Sequence, residues 1–281
     1  MAMKVSDIES NDLERQDMVS KGELRVGGWS IIGDRVIAEA LCQSDIDFIG
    51  IDSQHGFFAF DRASVAIQVA NLSKTPCFVR LPVEQLDWIP RYLDAGADGI
   101  VVAMACSAKD ARKAVALSLY QPTGERSYGG GKRNGVGEVS LDGSNFPAPE
   151  IFVMIETLKA FENLEEIAAT PGISGLYVGP VDLGLAMNRP YPLMDDDIPW
   201  RSALRKVVEV CEAHDIRSGM FAVDGDDARQ WLSFGFRDVV LSSDISLLRR
   251  ALNDNLELAR SLESASGSSN TRRSADPYSG R

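Results

Sequence analysis

Histidine, cysteine and long apolar runs are scarce in this chain of 281 residues. There are two histidines, His55 and His214, so any imidazole chemistry rests on one of them. The four cysteines, Cys42, Cys77, Cys106 and Cys211, lie too far apart for a metal knuckle or a CxxC redox pair. They read as reduced, mostly buried thiols of a cytoplasmic protein. The longest apolar run, 99–105, is too short to cross a bilayer, and the first 25 residues contain no apolar signal core. Positive charge is short too: 29 Lys and Arg against 41 Asp and Glu leave a net charge of -12. Nucleic acid and anionic membranes are therefore repelled, and the basic pairs Lys132-Arg133 and Arg249-Arg250 are too isolated to reverse that. The eight lysines (Lys4, Lys21, Lys74, Lys109, Lys113, Lys132, Lys159 and Lys206) all fall outside strand ends. That excludes Schiff-base aldol chemistry and leaves a metal as the electron sink for any carbon–carbon bond cleavage.

What is present is an ordinary globular composition, 44% hydrophobic and 25% charged, on a length that suits one large domain. Short apolar segments rich in Val, Ile and Phe recur at 27–31, 47–51, 77–79, 99–103, 151–155, 175–178, 217–221 and 238–241. They read as strands buried on both faces. Helical segments follow them at 34–43, 61–70 (with Asp61 as N-cap), 86–95 (ending at Gly96), 108–119, 158–169, 200–213, 226–234 and 244–262. AGADGIVVA, PGISGLYVG and FGFRDVVLS repeat one device, a glycine closing a helix just before a strand. Eight such units predict a (β/α)8 TIM barrel rather than an open doubly wound sheet. The barrel is assigned to 21–263, with a partly ordered segment at 1–20 and a disordered tail at 264–281. Two connections are long: Pro122–Pro149, whose YGGGKRNG reads as a mobile lid, and Met187–Pro199. YGGGKRNG is not a Walker loop, because Arg133 stands where Ser or Thr is needed.

In a TIM barrel the C-terminal strand ends share one mouth. Read in that frame, strand two ends in Asp52, Gln54 and His55, from FIGIDSQHGFF. Strand three ends in Arg80, strand four in Met104, and strand five in Glu156. Strand six ends in Gly179, Pro180, Val181 and Asp182, and strand eight in Ser242, Ser243 and Asp244. Glu156 and Asp182 stand on adjacent strands about 4.8 Å apart, close enough to share a cation with oxygen ligands. Hard oxygens favour Mg²⁺ or Mn²⁺ with water and substrate in the other positions; helix-dipole roles for both acids are the plainer alternative. Arg80 is either a structural ion pair with Asp52 or Glu156 or a clamp on a substrate oxyanion. His55 is a general base whose tautomer Asp52 would fix, or else a loop histidine before Gly56. The free N–H groups where the Val181–Met187 helix starts could hold a carboxylate. His214 reads as a complement to a helix C-terminus.

IDSQHG, FVRLP, VMIETLKA and YVGPVDLG together resemble the class II, divalent-metal-dependent pyruvate aldolases of the 4-hydroxy-2-oxoheptanedioate and 2-dehydro-3-deoxyglucarate type, over about residues 19–262. The resemblance implies a phosphoenolpyruvate/pyruvate-type barrel. It implies reversible retro-aldol cleavage of a 4-hydroxy-2-oxo acid to pyruvate and an aldehyde through a metal-bound enolate. It makes Glu156 and Asp182 the ligands of Mg²⁺, Mn²⁺ or Co²⁺, Arg80 the enolate stabiliser, and His55 with Asp52 the base. Gly179, Pro180, Val181, Asp182, Gln54 and Met154 then bind substrate. Asp94, in YLDAGADG, would serve a neighbouring subunit of a homo-hexamer, a dimer of trimers with an exchanged C-terminal helix. Gln54 and Met154 depart from the Glu and Gln common in such proteins, and ERSYGGG departs from the usual Arg-Gly after Arg126. Two other readings keep the same pocket: oxaloacetate decarboxylation or malyl-thioester cleavage, and a non-catalytic oxo-acid binder.

Overall fold

The computed structural model describes residues 23–129, 148–189 and 197–267. The 1–20 segment, most of the proposed lid with YGGGKRNG, residues 190–196 of the second long connection and the tail beyond 267 lie outside the described residues.

Eight parallel strands close on themselves in chain order. They are β1 (Arg25–Ser30), β2 (Phe48–Asp52), β3 (Cys77–Pro82), β4 (Gly99–Ala103), β5 (Glu150–Ile155), β6 (Gly175–Val178), β7 (Arg217–Ala222) and β8 (Asp238–Ser243). β1 pairs with both β2 and β8, which completes the barrel. The side-chain period of two sends one set of residues inward and the other against the helices. Ile49, Ile51, Val79, Leu81, Ile100, Val102, Ile151, Val153, Ile155, Leu176 and Val178 face outward into the main core, which the helices cover.

The inside is filled by large residues fitted over small ones. Phe48 occupies the space a side chain at Gly27 would need, and Trp29 does the same at Gly50. Phe78 covers Gly99, Phe152 covers Gly175 and Tyr177 covers Gly219. A Cβ at any of these five positions would lie within 2.1–2.7 Å of the ring. The aromatic–glycine pairing fills the barrel centre with rings set over residues that have no side chain.

The helices are α1 (Arg35–Cys42), α2 (Phe60–Leu72), α3 (Ile89–Ala95), α4 (Ala108–Ser118), α5 (Leu158–Glu162), α6 (Leu164–Ala168), α7 (Pro180–Ala186), α8 (Ile198–Ala213), α9 (Gly225–Phe234) and α10 (Asp244–Gly267). Asp34, Ser107, Thr157, Asp197 and Asp224 cap their helices through side-chain oxygens. Asp61 does not cap α2: it sits in the first turn behind Ala59, where its charge still meets the helix dipole. The segment 86–95 is a 3-10 turn (Val83–Trp88) followed by α3, with Gly96 left-handed at φ 109° as the glycine cap requires. The single helix expected over 158–169 breaks at Asn163, whose side-chain amide donates to the Cys106 carbonyl at 2.8 Å.

The described residues up to Asp244 belong to a first unit, and those from Ile245 to Gly267 to a second. Its helix continues past Ser264 to Gly267, and Leu248, Leu252 and Leu256 are exposed on it at a spacing of four. No helix among the described residues is long and apolar enough to cross a membrane.

Candidate active site

The inward positions at the C-terminal ends of β2, β3 and β5 deliver Asp52, Arg80 and Glu156 to one mouth of the barrel. Asp52 and Arg80 are direct neighbours in the register of β2 and β3. Arg80 Nε donates to Asp52 Oδ1 at 3.1 Å, and Arg80 Nη2 pairs with Oδ2. The Trp29 indole N–H reaches Oδ2 at 3.3 Å, and the backbone N–H groups of Gln54 and His55 each reach Oδ1 at 3.0 Å. Burial alone would raise the Asp52 carboxyl. The Arg80 hydrogen bonds and charge outweigh it and, with the His55 N–H and Trp29, hold the group below the ordinary aspartate range.

The expected Asp52–His55 pairing therefore takes a different form. Both Asp52 oxygens are engaged by Arg80, and what Asp52 grips on His55 is the backbone, which fixes the loop rather than the ring. The His55 side chain is exposed at the mouth. Of the two readings of Arg80, the ion pair with Asp52 is present, yet it uses only one edge of the fork. The remaining guanidinium N–H bonds have no partner among the described residues, and the Trp29 ring lies 5.6 Å beneath. A guanidinium anchored on one edge and open on the other is an anion donor.

Glu156 is 2% exposed. Its Oε1 accepts the Met104 N–H, presented by a left-handed backbone at φ 58°. Such a conformation in a non-glycine residue is strained, and here it aims a peptide donor at the carboxylate. Oε2 lies 2.7 Å from where a side chain at Gly179 would begin, so only glycine fits there. Burial pushes the Glu156 carboxyl above its ordinary range. The Met104 N–H and Arg80 oppose that shift, while the charges of Asp182 and Asp52 add to it. Asp182 is exposed in the first turn of α7, behind Gly179 and Pro180, and its charge acts on Glu156.

The other expected residues take several positions. Asp94 lies on α3, just before β4 begins and so toward the opposite end of the barrel. There Arg126 Nη2 donates to it at 2.7 Å. Asp244 turns to the exit of β1, accepting from Ser30 Oγ and from the N–H groups of Ile31 and Ile32 at 3.0–3.1 Å. His214 terminates α8 and meets Glu165 Oε2 at 3.2 Å. Met154 is buried beneath Glu156 on the same strand. Gln54 is half-buried, and its Oε1 is enclosed without a partner among the described residues. Trp29 and the Met104 peptide went unread in the sequence. A tryptophan in an apolar strand looks like core, and a backbone donor leaves no residue-type signal.

A clamped arginine beside a buried carboxylate at the mouth of such a barrel suits oxyanion chemistry. The HpcH/HpaI aldolase/citrate lyase family model matches residues 25–251. The chain belongs to that family. It is accordingly a carbon–carbon lyase of the aldolase type. A hydroxypyruvate/pyruvate aldolase of Rhizorhabdus wittichii is 32% identical over 247 residues, 86% of this chain and 97% of that one. A 5-keto-4-deoxy-D-glucarate aldolase of Shigella sonnei is 26% identical over 231 residues, 82% of this chain and 90% of that one. Among solved structures, an HpcH/HpaI aldolase/citrate lyase family protein of Burkholderia cenocepacia superposes with a TM-score of 0.77 at 28% identity, covering 89% of this chain and 99% of that one.

Proposed function

We propose that this lyase depends on a divalent cation and cleaves a 4-hydroxy-2-oxo acid, reversibly, to pyruvate and an aldehyde. The observation that carries the reading is the charge balance around Glu156. The charges that weigh most on the Glu156 carboxylate are those of Asp182 and Asp52 and the guanidinium of Arg80. Three negative charges against one positive leave a formal excess of two, in a place where burial already penalises the carboxylate. A dication answers both. Among the described residues no group of three or more His, Cys, Asp or Glu is arranged to hold a metal; the two ligands in this reading are Glu156 and Asp182. Two hard oxygens with room for water and substrate suit Mg²⁺ or Mn²⁺, with Co²⁺ a further candidate. When bound, the cation supplies a Lewis acid for the substrate's 2-oxo oxygen.

The protein's own groups do the rest. His55, through a water, takes the proton of the 4-hydroxyl. The C3–C4 bond breaks, its electron pair passing to C3 and the ketone oxygen as the aldehyde leaves. The open edge of Arg80 donates to that oxygen as its charge grows. Asp52 keeps Arg80 oriented and the His55 loop in place. A proton then returns to C3, giving pyruvate. The N–H groups of Val181 and Asp182, unpartnered within the helix, face the substrate carboxylate behind Gly179 and Pro180; Gln54 and Met154 line the pocket. Asp94 serves a neighbouring copy in a cytoplasmic homo-hexamer in which α10 is exchanged.

Purified protein assayed with a 4-hydroxy-2-oxo acid tests this. Pyruvate release should vanish with EDTA, return with Mg²⁺ or Mn²⁺, and be absent in Glu156→Ala and Asp182→Ala. Full activity in EDTA would remove the cation from the reading. Pyruvate from oxaloacetate with none from the hydroxy-oxo acid would replace aldol cleavage by decarboxylation.

A further inference from the structure

The layer of side chains beneath Arg80 and Glu156 has no polar atom to spare. It consists of Trp29, Val101, Met154, Tyr177 and Val240, all buried in one cluster with Ala103. Only two of these side chains carry a hydrogen-bonding N–H or O–H, and both are committed. The Trp29 N–H is given to Asp52, and the Tyr177 hydroxyl donates to the Met220 carbonyl at 2.9 Å and meets the Val240 backbone. Trp29 and Tyr177 stack with centroids 6.3 Å apart, which leaves Met154 as the adaptable member of the layer. Met154 also reaches the reaction centre. Its terminal methyl lies 3.1 Å from the Cβ position at Gly179, the same point that Glu156 Oε2 approaches at 2.7 Å.

An oxo acid held through its oxygens at Arg80 and at the cation that Glu156 would ligate therefore rests its carbon end on an apolar, hydrogen-bond-saturated bed. We infer that Met154 makes this site selective for 2-oxo acids whose C3 bears no hydroxyl, so that pyruvate is the preferred nucleophile and hydroxypyruvate is disfavoured. A C3 hydroxyl pressed onto this bed gives up its bond to water and finds no partner among these five side chains, which costs far more than its volume. The inference rests on the proposed carbon–carbon lyase reaction and narrows its donor.

The experiment compares pyruvate and hydroxypyruvate, with Mg²⁺ or Mn²⁺, in two readouts. One is C3 proton exchange with solvent deuterium followed by NMR. The other is equilibrium binding of each acid by calorimetry, with no aldehyde present. Wild type should favour pyruvate by about tenfold or more in kcat/KM for exchange, with the same order in binding. Met154→Gln, which supplies an amide of similar length, should lower that ratio by about tenfold. Met154→Leu, equally apolar, should keep it, which separates a polar effect from one of packing. Equal use of the two acids by wild type, or equal shifts in the two variants, would overturn the inference while leaving the lyase reading intact. Absence of exchange with either acid would remove both.

Discussion

The barrel has a buried polar layer at each end of its interior, and the two are built to opposite rules. At the N-terminal end Arg25 pairs end-on with Glu150, through Nη1 and Nη2 at 2.9 Å each, and with Asp238 through Nε. Arg217 completes the group with bonds of 2.7 and 2.8 Å to Asp238 and a third, of 2.9 Å, to the Glu23 carbonyl. Two guanidinium groups face two carboxylates, so the layer is neutral, and it ties β1, β5, β7 and β8 together. At the C-terminal end one guanidinium meets two buried carboxylates, Asp52 and Glu156, with the exposed Asp182 adding a third charge, and keeps an open edge. The lesson is that burial alone does not mark a charged group as functional. Charge left over, and donors left over, do.

That contrast breaks most sharply at Glu156 and Asp238. Glu156→Gln should lower pyruvate release by about 10³-fold or more, roughly 4 kcal/mol of barrier, if Glu156 is the cation ligand we propose. The same change should leave the thermal midpoint of the metal-free protein unchanged or higher, since a penalised charge has gone. Asp238→Asn should do the reverse. Two buried arginines lose the charge they share, and unfolding free energy should fall by about 3–5 kcal/mol in denaturant titrations. Turnover per folded molecule should stay near wild type. If the glutamine variant at 156 unfolded as readily as the asparagine variant at 238, the two layers would not differ in kind.

Arg80→Lys is an intermediate case. A lysine keeps the charge but has no fork, so it cannot hold Asp52 with one edge and donate with the other. The expected loss is about 10²–10³ in kcat, the size of a lost oxyanion donor. Steady-state kinetics with metal in excess would measure it, and a loss confined to KM would make Arg80 a binding group alone.

The sequence revealed these two layers unequally, and the reason is physical. Asp52, Arg80 and Glu156 were legible because each ends an apolar run, and a barrel gathers such ends at one mouth. The opposite layer was legible only in half: Arg217 and Asp238 open strands read at 217–221 and 238–241, but Arg25 and Glu150 fall before the strands read there. β1 begins at Arg25 and β5 at Glu150, whereas the apolar pattern begins at residues 27 and 151. A charged residue in the first inward position of a strand is indistinguishable by composition from the loop before it. Only closure of β1 on β8, which sets Arg25 beside Asp238, explains its burial. The partner of Asp52 was open for a similar reason. Three residues separate it from His55 along the chain, but the register of β2 and β3 puts Arg80 directly across, and register cannot be read from one strand.

The smallest expected effect concerns protons at the active end, where two buried carboxylates should have opposite pH dependences. Asp52 titrates below its unfolded range, so the unfolded state binds more protons as acid is added. Its contribution is present above the ordinary aspartate range and is lost as pH falls through the lower folded value. Glu156 titrates above its unfolded range, so between the ordinary glutamate value and the raised one the folded state holds the extra proton. Its effect on stability is therefore a loss as pH rises through that window, followed by a plateau. In metal-free protein, Glu156→Gln should flatten the fall in stability above the ordinary glutamate range and leave the acid limb untouched. Added Mg²⁺ should flatten the same window in wild type but not in the variant, because a cation stabilises the ionised carboxylate that burial disfavours. Denaturation midpoints measured across pH with and without metal would show it. An unchanged slope in the variant would mean that Glu156 is already neutralised by a group other than a cation.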